Sequence, residues 1–303
     1  MKTKFDYDLI IIGSGSAGLP TGMYAARYKI KNLVIAGQPG GALATSHKVE
    51  NYPGVLSAPG AEIMGNFREH AIASGSEILD ESVTKLEKLD EGFKITTTSN
   101  KELTAGYVVL ATGNKYRHLG FEEDEFLGKV SYCATCDGMF FKDRDVVIVG
   151  GGNTAFTEAL YLAELCKKVY LVHRSDKFRA EDIWIDQAKK IDNIEIITFE
   201  EVESVDGSLF MEHVNLKSGK VLNADGIFVA IGSDANTQLV SDFNLEQDDE
   251  GCLVVDQRQE TTLPGPYAAG DVTTNSNKFK QTIMSAAECL AANSIHEDML
   301  KSA

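Results

Sequence analysis

No apolar run in this chain reaches the ~18 residues that a membrane-spanning helix requires, so no span is expected. Met1 to Asp6 lead straight into a strand-like segment and hold neither the apolar stretch nor the cleavage site of a secretory leader, so a cytoplasmic location is expected. Cations are scarce. There are 29 Lys and Arg against 45 Asp and Glu, a net charge of −16 spread along the chain without a tail. That balance argues against nucleic acid or anionic membrane as a partner. Cysteine is sparse too: of five, Cys166, Cys252 and Cys289 stand singly, and only Cys133 and Cys136 are close in sequence. The pair has no second CxxC or histidine pair beside it, and the six histidines are dispersed. A structural zinc site needs about four ligands, so no metal is expected.

What is present points to nucleotides. With 303 residues, 43% of them hydrophobic, the chain can build two ordinary domains. Tyr7 to Ile12 is an unbroken apolar run that reads as a strand buried on both faces of a parallel sheet. Gly13, Ser14, Gly15, Ser16, Ala17 and Gly18 follow, then a helical stretch from Leu19 to Tyr28. This is GxGxxG in its required strand–turn–helix setting. Gly13 permits the turn, Gly15 lets backbone approach a pyrophosphate, and Gly18 lets helix and strand pack closely. The next strand, 32–36, ends at Gly37 and Gln38, where the general fingerprint has an acid for a ribose; Gln38 or backbone must serve instead. A glycine-rich polar loop follows from Gln38 to Thr45, with Gly41 and, further on, Asn51 as candidate cofactor contacts.

Residues 61–74 read as a helix, 76–110 as a small β-meander, and 107–113 as a strand ending in Ala111, Thr112 and Gly113, small enough for close passage of a nucleotide. Residues 115–130 have the mixed composition of a linker. A second nucleotide fold then appears: strand 145–149, the turn Gly150-x-Gly152-x-x-Ala155 containing Asn153 and Thr154, and a helix to Leu165. Its second strand, 168–172, ends at His173, Arg174 and Ser175, with Arg179 close behind. Cations where an acid would bind an NAD ribose suit a 2′-phosphate. Helix 181–190 and strands 194–197 and 224–232 follow. Near the end a short strand closes on Gly270 and Asp271, before a helix from Gln281 to His296. Asp271 can accept hydrogen bonds from a polyol or serve as a helix cap; the GxGxxG and Ala-Thr-Gly elements favour the polyol of an FAD. Two such turns imply two dinucleotides, or a dinucleotide and a flavin.

The stretch Ser131-Tyr132-Cys133-Ala134-Thr135-Cys136-Asp137-Gly138 lies just before the second turn. A disulfide across so few residues closes a small, strained, readily reduced ring, suited to electron transfer more than to stapling. Zinc and an inert structural disulfide are the alternatives, and the adjoining nucleotide turn weighs for redox chemistry.

Over nearly its whole length the chain resembles the low-molecular-weight thioredoxin reductases. The resemblance is carried by Cys133 to Gly138, the two glycine turns, Ala111 to Gly113, and Gly270 with Asp271. It implies an α/β protein of two Rossmann-like, three-layer ββα nucleotide-binding domains, the second inserted in the first. An FAD domain would span 1–114 and 246–303, and an NAD(P) and redox-disulfide domain 115–245. It further implies a homodimer in which electrons pass from NADPH to FAD, to the Cys133–Cys136 disulfide and to thioredoxin. Cys136 would lie nearer the flavin, Cys133 would be the exchanging nucleophile, and Asp137 the acid–base group. One domain would rotate against the other so that nicotinamide and disulfide take turns at the flavin. Phe140 and Phe141 would either dock thioredoxin or belong to the core. Lys280 and Gln281 would contact FAD.

Three positions depart from the family pattern. The usual HRRxxxR reads His173-Arg174-Ser175 with Arg179, Gly-Gly-Gln reads Gly40-Gly41-Ala42, and Arg-Gln reads Lys280-Gln281. The first removes a cation for the 2′-phosphate, which opens NADH, ferredoxin or a deazaflavin as alternative donors, although the intact second turn favours a nicotinamide. A ferredoxin–NADP reductase is disfavoured by the CxxC. A nucleotide-dependent redox sensor would bind flavin without turning over a dithiol partner.

Overall fold

The computed structural model describes residues 4–45, 49, 52, 54–121, 130–207, 211–276 and 290–302. The chain divides into two compact units, one of residues 1–115 with 234–303 and the other of residues 116–233.

The first unit opens with β1 (Tyr7–Ile12), α1 (Gly18–Arg27), β2 (Asn32–Ile35), α2 (Gly60–Ser74), β3 (Glu77–Leu79), β4 (Val83–Lys88), β5 (Phe93–Thr97), β6 (Glu102–Leu110) and β7 (Asn114–Tyr116). Strands β3, β2, β1 and β6 lie side by side and parallel. The nine residues of β6 serve two partners on their far side. The first half pairs antiparallel with β5, which pairs with β4. The second half pairs parallel with a strand from the end of the chain, described below. The apolar run of β1 is buried on both faces, as its composition predicts. Leu9 and Ile11 join the core under α1. Ile10 and Ile12 join a second core with Phe93, Ile95, Val240 and Leu245.

The second unit holds β8 (Val130–Ser131), α3 (Ala134–Asp137), β9 (Asp145–Val149), α4 (Asn153–Leu165), β10 (Lys168–His173), α5 (Asp182–Ala188), β11 (Ile194–Thr198), β12 (Val202–Gly207), β13 (Met211–Leu216), β14 (Val221–Asn223) and β15 (Gly226–Val229). Its parallel sheet runs β11-β10-β9-β15-β8, and β12, β13 and β14 form a separate antiparallel sheet. Val146 and Ile148 face the helices, and Val147 and Val149 face the antiparallel sheet. Helices on one side and antiparallel strands on the other make the expected three layers.

The chain ends with β16 (Ser233–Ala235), which pairs with β7, then β17 (Pro266–Ala268), which pairs with the second half of β6, and α6 (Leu290–Ser302). No helix among the described residues is long and apolar enough to cross a membrane.

Some boundaries differ from expectation. The units part at 115/116 and 233/234, whereas the family resemblance implied breaks at 114/115 and 245/246. Val240 and Leu245 are buried in the core of the first unit, which draws residues 234–245 into it. The last helix runs to Ser302, beyond its expected end at His296. The antiparallel sheet β12–β14 went unrecognised because its first strand does not alternate. A register shift between Val202 and Ser204 places the buried Val202 and Val205 three residues apart.

One polar network ties β17 to α6. The wholly buried Tyr267 donates its hydroxyl to Asp298 at 2.5 Å, and Arg258 donates to the same carboxylate at 2.6 Å. Burial pushes the Asp298 pKa up, but these two hydrogen bonds, with the charge of Arg258 and a further hydrogen bond from Lys301, together hold it below its ordinary value. Its stabilisation is therefore complete above the ordinary carboxylate range and lost as pH falls through the lowered folded value. Tyr267→Phe should cost about 1–3 kcal/mol in denaturant unfolding at pH 7, with a smaller penalty at acid pH. An unchanged midpoint at pH 7 would show that the hydroxyl contributes nothing.

Candidate functional site

In the first unit the carboxyl ends of β2, β1, β6 and β17 lie together, where open parallel sheets bind nucleotides. Gly13 leaves β1 at φ +115° and donates its amide to the Ile35 carbonyl at 2.9 Å. A Cβ on Gly13 would lie 2.1 Å from the Ala111 carbonyl oxygen, and one on Gly18 would lie 1.9 Å from that of Gly13. Strand, turn and helix can close only around glycine. α1 begins after Ala17 with no side chain capping it, which suits an anion at its first amides.

The Ser14 hydroxyl donates to the Gln38 carbonyl at 3.2 Å and accepts from the Gly40 amide at 3.3 Å. A Cβ on Gly41 would stand 2.9 Å from the Gly15 Cα. The loop after β2 is thus laced to the turn that holds Gly15 and Ser16, and Gln38 takes part through its backbone while its side chain is exposed.

The Ala111 amide donates to the Ile12 carbonyl at 2.8 Å. Thr112 Oγ1 donates to the Asn236 carbonyl at 2.7 Å, and the Asn236 amide donates to the Gly113 carbonyl at 2.9 Å. Beyond β17, Gly270 adopts φ +85°, and the amide and hydroxyl of Thr273 each donate to its carbonyl at 2.9 Å. The half-buried Asp271 follows. In the orientation its neighbours require, the Asn114 amide donates to the Asp271 carbonyl at 2.7 Å. Asn51, Lys280 and Gln281 lie outside the described residues. The remaining residues fit a dinucleotide carrying a polyol, with glycine-lined close approach, an uncapped helix and a carboxylate at a strand end.

In the second unit Gly150 takes φ +153°, and its Cβ would meet the Ala230 carbonyl oxygen at 2.3 Å. α4 starts after Gly152 without a side-chain cap, and a Cβ on Gly152 would meet nothing within 4 Å. Asn153 exchanges hydrogen bonds with Glu181, donating to its carboxylate at 3.1 Å and accepting its amide at 2.8 Å. Thr154 is exposed in the first turn of α4, and Ala155 is buried beneath it. The His173 ring packs so tightly on Gly151 that any Cβ there would stand 2.5 Å from it. Burial, with Arg174 and Arg179 nearby, lowers the His173 pKa against a backbone hydrogen bond at Lys177 that raises it. Arg174 and Arg179 are exposed and make no ion pair among the described residues. Ser175 turns inward: its hydroxyl donates to the Lys177 carbonyl at 3.3 Å, accepts the Lys177 amide at 3.3 Å, and lies 3.4 Å from His173 Nε2.

The redox motif sits in the same unit. Cys133 is disulfide-bonded and caps the single turn of α3, whereas Cys166 and Cys252 are free and buried. The side chain of Cys136 lies outside the described set. Ser131 organises the approach to the turn. Its hydroxyl donates to Asp137 Oδ2 at 2.7 Å and accepts the Cys133 amide at 3.1 Å. Cys133 Sγ lies 3.4 Å from Thr135 Oγ1. From α4, Glu158 Oε1 accepts the Ala134 amide at 3.3 Å, and burial pushes this carboxyl up to about 7. Phe140 and Phe141 part company. Phe140 is 61% exposed beside an exposed Met139, while Phe141 is buried edge-on against Phe228.

Asn114 and Glu158 belong to no motif, and Ser131 opens the CxxC stretch without a role that its position alone reveals. For Glu158 a signal did exist: it shares helical spacing with Tyr161, Leu162 and Leu165, which marks a carboxyl on an apolar face. Among the described residues no group of three or more His, Cys, Asp or Glu is placed to hold a metal.

The model of the pyridine nucleotide-disulphide oxidoreductase family matches residues 7–292. A thioredoxin reductase of Mycolicibacterium smegmatis is 39% identical over 297 residues, covering 95% of this chain and 94% of the relative. One from Treponema pallidum is 39% identical over 298 residues, covering 95% of each. Among solved structures, the thioredoxin reductase of Streptococcus pyogenes aligns with a TM-score of 0.79 at 33% identity, covering 97% of this chain and 98% of that one.

Proposed function

We propose that this chain, which belongs to the pyridine nucleotide-disulphide oxidoreductase family, is a thioredoxin reductase that moves two electrons from NADPH by way of FAD to the Cys133–Cys136 disulfide and on to thioredoxin. One observation carries the reading: a disulfide-bonded cysteine caps a one-turn helix, with an acid tied to it through Ser131, on the same compact unit as a nucleotide-type glycine turn. Bound FAD would supply the electron pair, taken from NADPH, that opens this disulfide.

The residues proposed to hold FAD are the turn Gly13 to Gly18, Gln38, Gly41, Asn51, Ala111 to Gly113, Gly270, Asp271, Lys280 and Gln281. Asp271 takes the ribitol, and the amides opening α1 take the pyrophosphate. For the nicotinamide dinucleotide they are Gly150, Gly152 to Ala155, His173, Arg174, Ser175 and Arg179.

In exchange, the Cys133 thiolate attacks the thioredoxin disulfide and Cys136 then displaces the reduced partner, so one S–S bond forms for each one broken. Asp137, held by Ser131, passes the proton to the leaving thiolate. The exposed Met139 and Phe140 form the apolar rim on which thioredoxin seats, and Phe141 supports it from the core. A cytoplasmic homodimer is the proposed state of the protein.

Cys136→Ser and Cys133→Ser should each retain FAD and abolish thioredoxin reduction by NADPH. Normal disulfide reductase activity in either variant would overturn the assignment of this pair.

The donor site is weakened on one side. A 2′-phosphate carries close to two charges and is best met by guanidinium groups. Arg174 and Arg179 remain, but the Ser175 hydroxyl is spent within its own loop. The missing contact costs about tenfold in affinity, which leaves a modest preference for NADPH over NADH. Ser175→Arg should lower KM for NADPH about tenfold and leave that for NADH unchanged. Equal effects on both nucleotides would place Ser175 away from the 2′-phosphate.

A further inference from the structure

α4 turns one face toward the redox helix. A Cβ on Gly138 would meet Tyr161, Leu162 and Leu165 of α4 at 3.1, 3.2 and 3.3 Å. Glu158 stands one turn earlier on that face and accepts the amide of Ala134, a wholly buried residue between the two cysteines. A carboxyl is therefore built into an otherwise apolar contact directly behind the CxxC turn. An amide side chain would accept the same hydrogen bond with no charge to desolvate, so the contact alone does not explain an acid here.

We propose that Glu158 is a positioning residue of the redox centre, holding the Ala134 amide in the oxidised protein and taking up a proton when the disulfide is reduced. The inference rests on Cys133 and Cys136 being the redox pair. Two electrons break the S–S bond; one sulfur takes a proton to become a thiol and the other remains a thiolate. Glu158 takes the second proton as its carboxylate becomes a carboxylic acid. Wherever Glu158 starts ionised and ends protonated, two electrons enter with two protons and the net charge of the region is unchanged. Without that proton a carboxylate bonded to the Ala134 amide and a thiolate in the same turn would disfavour each other.

The remaining charges around α4 do not supply the effect. On the side of α3 the titratable groups among the described side chains are Cys133 and Asp137, and Cys136 lies in the same turn. Toward the sheet and α5, Lys168 pairs with Glu195 at 2.6 Å and lies over Tyr170, and Lys167 pairs with Asp145 at 3.6 Å. His173, Asp182 and Asp186 also lie on elements that α4 packs against. None of them contributes to the shift of Glu158, which comes from burial, opposed only by the Ala134 amide. The carboxyl is thus poised to change charge near neutral pH, and formation of a thiolate is the event that would tip it.

The test uses the FAD-loaded enzyme, wild type, Glu158→Gln and Glu158→Ala. Each is equilibrated with mixtures of reduced and oxidised dithiothreitol at pH 6 and pH 8, then alkylated, and the labelled fractions of Cys133 and Cys136 are counted by mass spectrometry. At pH 6 Glu158 is largely protonated in both redox states, and Glu158→Gln should match wild type. At pH 8 the wild-type carboxylate opposes reduction, and the Gln disulfide should be about fivefold more readily reduced, the ratio given by a thiolate that raises the carboxyl by about one pH unit. Glu158→Ala should show the same excess at pH 8 relative to pH 6. A variant-to-wild-type ratio that does not change with pH leaves Glu158 a structural contact and overturns the proposal. If neither cysteine is reducible in the wild type, the redox assignment fails first, and the inference falls with it.

Discussion

Backbone passing backbone at distances that no Cβ permits is the constraint on which both nucleotide sites depend. In the first unit the carbonyl of Ala111 occupies the place where a side chain on Gly13 would start, and the carbonyl of Gly13 does the same to Gly18. In the second unit the Ala230 carbonyl stands against Gly150 in the same manner. These contacts lock the strand before each turn, a neighbouring strand and the helix after the turn together. They bring the amides that open the helix to the carboxyl edge of the sheet, where a pyrophosphate can use them. The absence of a side-chain cap at α1 and α4 follows the same logic, because a capping side chain would compete with the ligand.

The redox centre uses the opposite device, with polar side chains fixing a very short helix. One turn cannot hold itself together, so its ends are tied from outside. Ser131 connects the Cys133 amide to the Asp137 carboxylate, and Glu158 reaches from α4 to Ala134. Phe141, buried against Phe228 and over Gly226, anchors the exit from the turn. The adjoining Met139 and Phe140 remain at the surface. The disulfide-bonded Cys133 is thereby held in a turn fixed from three sides, with two exposed apolar side chains close behind it in sequence.

The two nucleotide folds were legible because their signals are local. A parallel strand buried on both faces reads as an unbroken apolar run, as Leu9 to Ile12 and Val146 to Val149 do, and the glycines that must follow it are adjacent in sequence. What stayed hidden depended on distance. The unit boundary at 233/234 is set by Val240 and Leu245 packing on strands more than a hundred residues earlier. The sheet β12–β14 was masked by a bulge that breaks its alternation. Glu158 meets Ala134 across 24 residues, a contact that no short motif encodes. The Phe140–Phe141 pair could not be divided from sequence, since only the packing of Phe141 on Phe228 shows which ring faces inward.

Counting thiols after anaerobic reduction tests the central assignment most directly. One equivalent of NADPH is added to the FAD-loaded protein, accessible thiols are alkylated without unfolding, and the labelled positions are identified by mass spectrometry. Two new thiols should appear, at Cys133 and Cys136, with Cys166 and Cys252 unchanged. No new thiol, or one at any other cysteine, would contradict the assignment of this pair as the route by which electrons leave the enzyme.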